Sequence, residues 1–212
     1  MSLAEILPLA FVMIAGPQII SSFFLATSDN WAKTSIAYVA GAAVSVTTVV
    51  TIAYFVGRGA RSAAGSKHSG TADKVIESVV LALVLILIVR TYLTRKTSQP
   101  PKWMGKLQAA EPKFAFTLGL ALLGVFPTDI MSASVAGLHV AHAHDPWWHC
   151  LPFVGLTLLL LAAPAIGVVV LGKRAHVVLP KIRDWMSRDS WVVSEVVLVF
   201  FAAIAINSLV GG

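Results

Sequence analysis

Apolar positions run along this chain in long blocks, with polar residues gathered between them. Six blocks reach the about 20 residues that a helix needs to cross a bilayer: roughly Leu3–Leu25, Thr34–Val56, Val75–Leu93, Phe114–Gly137, Trp148–Leu171 and Trp191–Val210. The tryptophans mark their edges. Trp31, Trp103, Trp147, Trp148, Trp185 and Trp191 all fall in loops or at block ends and none lies in mid-block, the placement of a belt at the membrane–water interface. The pattern predicts an all-α, polytopic integral membrane protein with six transmembrane helices.

Composition agrees. The chain has 212 residues, of which 57% are hydrophobic and 12% charged, and a mean hydropathy of +0.82. A soluble domain carries about 25% charged residues, so the bilayer is the expected solvent. The formal net charge of +6 would suggest nucleic acid if it were spread over a surface. Instead the basic residues sit in short clusters between apolar blocks, as membrane proteins place them, and no nucleic-acid partner is expected. A single cysteine, Cys150, excludes an intrachain disulfide and a two-thiol relay. The opening MSLAEILPLAF carries Glu5 and no basic residue, so it reads as a first helix and not as a signal peptide.

Charge also orients the chain. One side of the six-span layout holds Arg58, Arg61, Lys67 and Lys74, while the other holds the remaining twelve Lys and Arg, from Lys33 through the third loop to Arg188 in the fifth. The positive-inside rule places those loops in the cytoplasm and both termini outside a cytoplasmic membrane. QPPKWMGKL in the third loop and LPKIRDWMSR in the fifth share proline, Trp, Met and basic residues, a composition suited to short helices at the headgroups.

Two blocks contain a proline in mid-course. The first reads AFVMIAGPQIISS and the fourth GLALLGVFPTDIMSAS: small and apolar residues, proline, a polar residue, then isoleucine. Spans three and six also open alike, with DKVIESVVL and DSWVVSEVVL placing Glu77 and Glu195 about one turn inside. Three spans per half is an odd number, so the second half enters from the opposite face. The expectation is a single transmembrane domain over 1–212 built as a 3+3 inverted repeat: residues 1–93, a basic connection over 94–113, and residues 114–212. In such repeats, interrupted helices meet near the midplane and hold substrate or ions there. Proline removes a backbone donor and an unpaired aspartate is costly in hydrocarbon, so Gly16, Pro17, Gln18, Pro127, Thr128 and Asp129 are the candidate substrate- or ion-binding residues. Asp129 has three open roles: capping freed amides, binding a cation or carrying a proton. Glu77 and Glu195 are candidates for gating or proton coupling, with pairing of Glu77 to Lys74 on the same helical face as the plain structural alternative.

Other features carry less chemistry. Gly41, Ser45 and Thr48 share one face of span two, a pattern of close helix packing, and Pro164 in span five predicts a kink. The stretch HVAHAHDPWWH sets four histidines in an outer loop. Its spacing fits no established zinc motif; it reads as a surface loop, with His142 and His144 as candidate metal ligands and proton sensing as a further alternative. No cofactor signature and no nucleophile–base set is present, so an enzyme is not expected.

With these residues in place, the chain resembles the LysE superfamily of small exporters and within it is most similar to the GAP (Sap) family, the peptidoglycolipid- or sulfolipid-addressing proteins. GPQII in span one, PPKW before span four, FPTDI within it and LPKIRDW before the last span carry the likeness. The resemblance implies a six-span LysE-like fold and a secondary transporter or exporter moving a small organic, amphiphilic or lipid-related substrate across the membrane. A membrane accessory or scaffold of a lipid-export system, or a divalent-metal exporter, are the alternatives it leaves open. The partners expected are membrane lipids, the transported molecule or amphiphile, and a second copy of the chain in a homodimer.

Overall fold

The computed structural model describes residues 7–14, 16–64, 107 and 109–188, and among them every regular element is helical. In chain order these are α1 (Leu7–Ile14), α2 (Pro17–Ala26), α3 (Trp31–Ala64), α4 (Pro112–Val125), α5 (Pro127–His142), a 3-10 turn (Trp147–Cys150), α6 (Leu151–Leu171), a second turn (Gly172–Arg174) and α7 (Ala175–Arg188). The predicted spans three and six, with Glu77, Lys74 and Glu195, lie outside the described residues.

Prolines start the helices. Pro17, Pro112, Pro127 and Pro152 each occupy the first or second helical position, where a missing N–H costs nothing and the fixed φ is already helical. Within an apolar block the same residue breaks the helix before it, because its ring cannot pass the carbonyl four residues back. The fourth block is accordingly cut into α4 and α5, bent by 70°. The first block is cut into α1 and α2, of eight and ten residues, each too short to cross a bilayer alone. Among the described residues two segments, Trp31–Gly59 and Trp147–Leu171, are long and apolar enough to cross, and the bent α4–α5 pair supplies a third if counted as one span.

Helix α3 is the strut of the described bundle, packing along both α4 and α5. Glycines set its distance. A Cβ on Gly41 would strike the Phe116 carbonyl, and one on Gly119 would strike the Tyr38 carbonyl, so the backbones of α3 and α4 touch reciprocally. Farther on, Gly124 faces Ser45, Gly137 faces Val50 and Ala53, and Gly57 faces Leu138 and Ala141. The two therefore run side by side in the same direction. The short step from Ser45 to Val50 on α3 spans the much longer stretch from Gly124 to Gly137 on the bent pair, so the proline corner bulges away from the strut.

One expectation needs correction. Gly41 and Ser45 lie on the packed face, but Thr48 does not: it is exposed, and its hydroxyl donates back to the Val44 carbonyl at 2.6 Å, the local bond available to a threonine without an interhelical partner. Pro164 does not end its helix. It sits buried within an α6 that continues through it, and Ser22 Oγ donates to the nearby Leu161 carbonyl, tying α2 to α6 at that turn. The basic LPKIRDWMSR segment forms the second half of α7, an amphipathic helix with Leu179 buried and Ile182 and Trp185 exposed.

Candidate functional site

The two interruptions have different local causes. At the first, Gly16 adopts φ 128° and ψ −143°, a region open essentially to glycine alone. At the second, Phe126 is extended at φ −68° and ψ 125°, the conformation forced on a residue preceding proline. Both deliver the same product: a half-helix beginning with proline, whose first turn carries the positive end of the helix dipole; in α5 the Asp129 amide already bonds the Phe126 carbonyl at 3.1 Å.

These two beginnings meet. Gln18, second residue of α2, and Asp129, third residue of α5, are each 1% exposed. Gln18 Nε2 donates to Asp129 Oδ2 at 2.5 Å across 111 positions of sequence. The residue that caps α5, Phe126, offers no side-chain bond to the first turn, and the Thr128 side chain beside the aspartate also interacts with its carboxylate. Tyr38 on α3, fully buried, donates its hydroxyl to the Gln18 backbone carbonyl at 2.9 Å. Ser21 Oγ donates to the Pro17 carbonyl at 2.6 Å, and Ser132 Oγ to the Thr128 carbonyl at 2.9 Å, so each half-helix carries a serine bonded back onto its first turn.

Two atoms are left over. Gln18 Oε1 and Asp129 Oδ1 are both buried and neither has a hydrogen-bond partner. Buried polar atoms are nearly always satisfied, so a pair of orphan acceptors at one contact marks a place built for something that donates. The Asp145 carboxylate lies elsewhere, 3.3 Å from His149 Nδ1 in the loop after α5.

Of the candidates from sequence, Gln18 and Asp129 are thus brought into contact. Gly16 and Pro17 shape the approach of the first, and Pro127 that of the second. Thr128 and Pro127 are themselves exposed, on the outer side of the corner with Val125 and Met131. Tyr38 was not singled out in the sequence. Its signal was there: a phenol in mid-span needs a partner for its hydroxyl, and the Gln18 backbone carbonyl in the first turn of α2 is one.

Beside the polar contact, Ile19, Phe23, Ala163, Pro164, Leu179 and Ile182 line an apolar groove among α2, α6 and α7. Successive residues of α2 therefore face two environments: Gln18 the polar contact, Ile19 the groove.

The histidines lie elsewhere. His142 ends α5 and is exposed, and His144 takes a left-handed φ of 62°. Among the described residues, no three His, Cys, Asp or Glu side chains are grouped to hold a metal, so His142 and His144 find no third ligand there. The loop is instead pinned by structure: Tyr54 Oη donates to the Asp145 carbonyl at 3.0 Å, Arg58 Nη1 to Tyr54 Oη at 3.0 Å, and Trp147 Nε1 to Thr51 Oγ1 at 3.0 Å.

Comparison with known proteins places the chain in a family. The family model described as Sap, sulfolipid-1-addressing protein, matches residues 6–209. No curated protein and no solved structure matches the chain.

Proposed function

Since the chain belongs to the Sap, sulfolipid-1-addressing protein family, we propose that it is a secondary exporter that moves an amphiphilic, lipid-related substrate across the cytoplasmic membrane past the contact of its two proline-started half-helices. The observation that carries the reading is the buried Gln18–Asp129 hydrogen bond. It joins matching points of the two halves of the sequence, as the substrate sites of inverted-repeat transporters do. In this reading the fold is the LysE-like 3+3 arrangement of six spans with both termini outside. The parallel course of α3 and the α4–α5 pair supports it, because one intervening crossing, the sequence's Val75–Leu93, would bring the chain back to the starting face.

The apolar groove favours an amphiphile over a small polar solute. A molecule with a polar head at Gln18 and Asp129 has an apolar wall beside it at Ile19 and Phe23 for its tail. Helix N-termini suit an anionic head such as a sulfate, in keeping with the family's sulfolipid.

The test uses the full chain in liposomes containing a fluorescent sulfated glycolipid, with exchange between leaflets read by a membrane-impermeant quencher. Protein-dependent exchange is expected, reduced about tenfold or more by Asp129→Asn, equivalent to ~1.4 kcal/mol of barrier. Exchange equal in both proteins removes the polar contact from the transport path.

A further inference from the structure

We infer that the polar contact is a proton site, in which a proton on Asp129 Oδ1 is donated to Gln18 Oε1 and closes a ring of two hydrogen bonds between carboxylic acid and carboxamide. The inference deepens the transport reading by naming the ion that is coupled. It rests on that reading for its role, though not for its geometry.

The two orphan atoms carry the argument. A carboxamide has one donor edge and one acceptor edge, and a carboxylic acid has the same pair reversed. One half of that complementarity is present, in Gln18 Nε2 to Asp129 Oδ2. What is unsatisfied is the other half, Gln18 Oε1 and Asp129 Oδ1. Both are acceptors when the aspartate is ionised, and two acceptors cannot satisfy each other. A single proton converts Oδ1 into a donor and resolves both at once. The adjacent Thr128 side chain interacts with the carboxylate as well, yet Oδ1 stays without a partner, and each of the two side chains is only 1% exposed.

Among the described residues no competing charge is supplied. Of the elements packed on α5, neither α1 nor its continuation α2 has an ionisable side chain. Helix α4 has only Lys113, at its far start. Helix α3 brings Tyr38, already engaged with the Gln18 carbonyl, while its Lys33 lies near one end and Tyr54 and Arg58 toward the other. His149 and Cys150 in the Trp147–Cys150 turn follow the opposite end of α5. A metal cation in place of the proton would need a shell of several oxygen ligands, and two side-chain oxygens are open here. A proton needs only two.

The site also has an internal release. Because Gln18 and Asp129 belong to separate half-helices, any movement of α2 against α5 separates acid from amide and leaves the proton with a carboxyl that has lost both bonds. Proton loss and opening of the contact are thereby the same event seen from two sides, which is the linkage a coupled exporter requires.

The test is infrared difference spectroscopy on the full chain in phospholipid nanodiscs, between acidic and alkaline buffers in water and in heavy water. The wild type is expected to show a protonated-carboxyl carbonyl band that shifts in heavy water and is missing from Asp129→Asn. In Gln18→Leu, which keeps the carboxyl, the band should persist at higher frequency because the amide no longer bonds its carbonyl oxygen. Sodium chloride added at fixed pH should leave the band unchanged. A spectrum unaltered by Asp129→Asn, a band indifferent to Gln18→Leu, or a band abolished by sodium would each overturn the proton site. The readout is independent of transport: leaflet exchange without the band sinks the proton site alone, and the band without exchange sinks the transport reading alone.

Discussion

Gly16 is where a single residue does most to set the contact. Its φ of 128° lies in a region that costs a side chain about 1–3 kcal/mol, and a Cβ there would stand 3.1 Å from Gln18 Oε1. Alanine at this position meets both penalties: the backbone relaxes toward an allowed conformation and the amide is pushed off the aspartate. Gly16→Ala is therefore expected to lower the melting temperature in detergent and to reduce leaflet exchange together, whereas Ser22→Ala, which removes a bond to Leu161 one turn further along α2, should lower stability with a smaller loss of exchange. Parallel thermal melts and exchange assays check this; a Gly16→Ala protein with normal exchange would show that the Gln18 carboxamide is not held by that turn. At this scale much was legible in the sequence. Proline, glycine and a lone aspartate announce themselves in an apolar block because each has a fixed backbone or solvation cost. The exposure of Thr128 was not, since the face a residue takes depends on the bend that follows it.

The bend is a property of elements, and it depends on how tightly α3 is held. Gly41 and Gly119 meet each other's neighbouring carbonyls, so a side chain at either must displace backbone. Gly119→Val is expected to destabilise the protein by ~3 kcal/mol, at the upper end of overpacking costs. It should also disturb the polar contact, because the Tyr38 carbonyl it strikes belongs to the residue whose hydroxyl holds Gln18. Gly155, by contrast, has open space where its Cβ would lie, and Gly155→Ala should be neutral or stabilising by up to ~1 kcal/mol from helix propensity. Chemical or thermal denaturation of the two variants decides it, and equal effects would mean the glycine contact is not what spaces the helices. The small-residue face of span two predicted this packing correctly as far as Ser45. It failed at Thr48, because periodicity cannot show that the partner helix turns away at its proline after Gly124. The same bulge explains why α4–α5 reads in the sequence as one span and in the structure as two helices bent by 70°.

At the scale of the molecule, the membrane itself decides what the exposed surfaces mean. Ile36, Val44, Ile52 and Phe55 on α3 and Leu159, Ile166 and Val170 on α6 are exposed among the described residues, a liability in water and ordinary in lipid. The apolar face carries no information about direction, so the orientation we propose rests on the asymmetry of Lys and Arg, which predicts that the turn before α3 and helix α7 face the cytoplasm and the loop after α5 faces out. The lone cysteine makes this simple to test, because Cys150 is buried and Cys150→Ala gives a thiol-free background. Ala143, Asn30 and Lys181 are all exposed. An impermeant maleimide should label Ala143→Cys in intact cells and Asn30→Cys or Lys181→Cys only after permeabilisation. The reverse pattern would invert the molecule, and with it the direction in which the proposed transport and a proton bound at Asp129 would run: the same contact would then describe an importer.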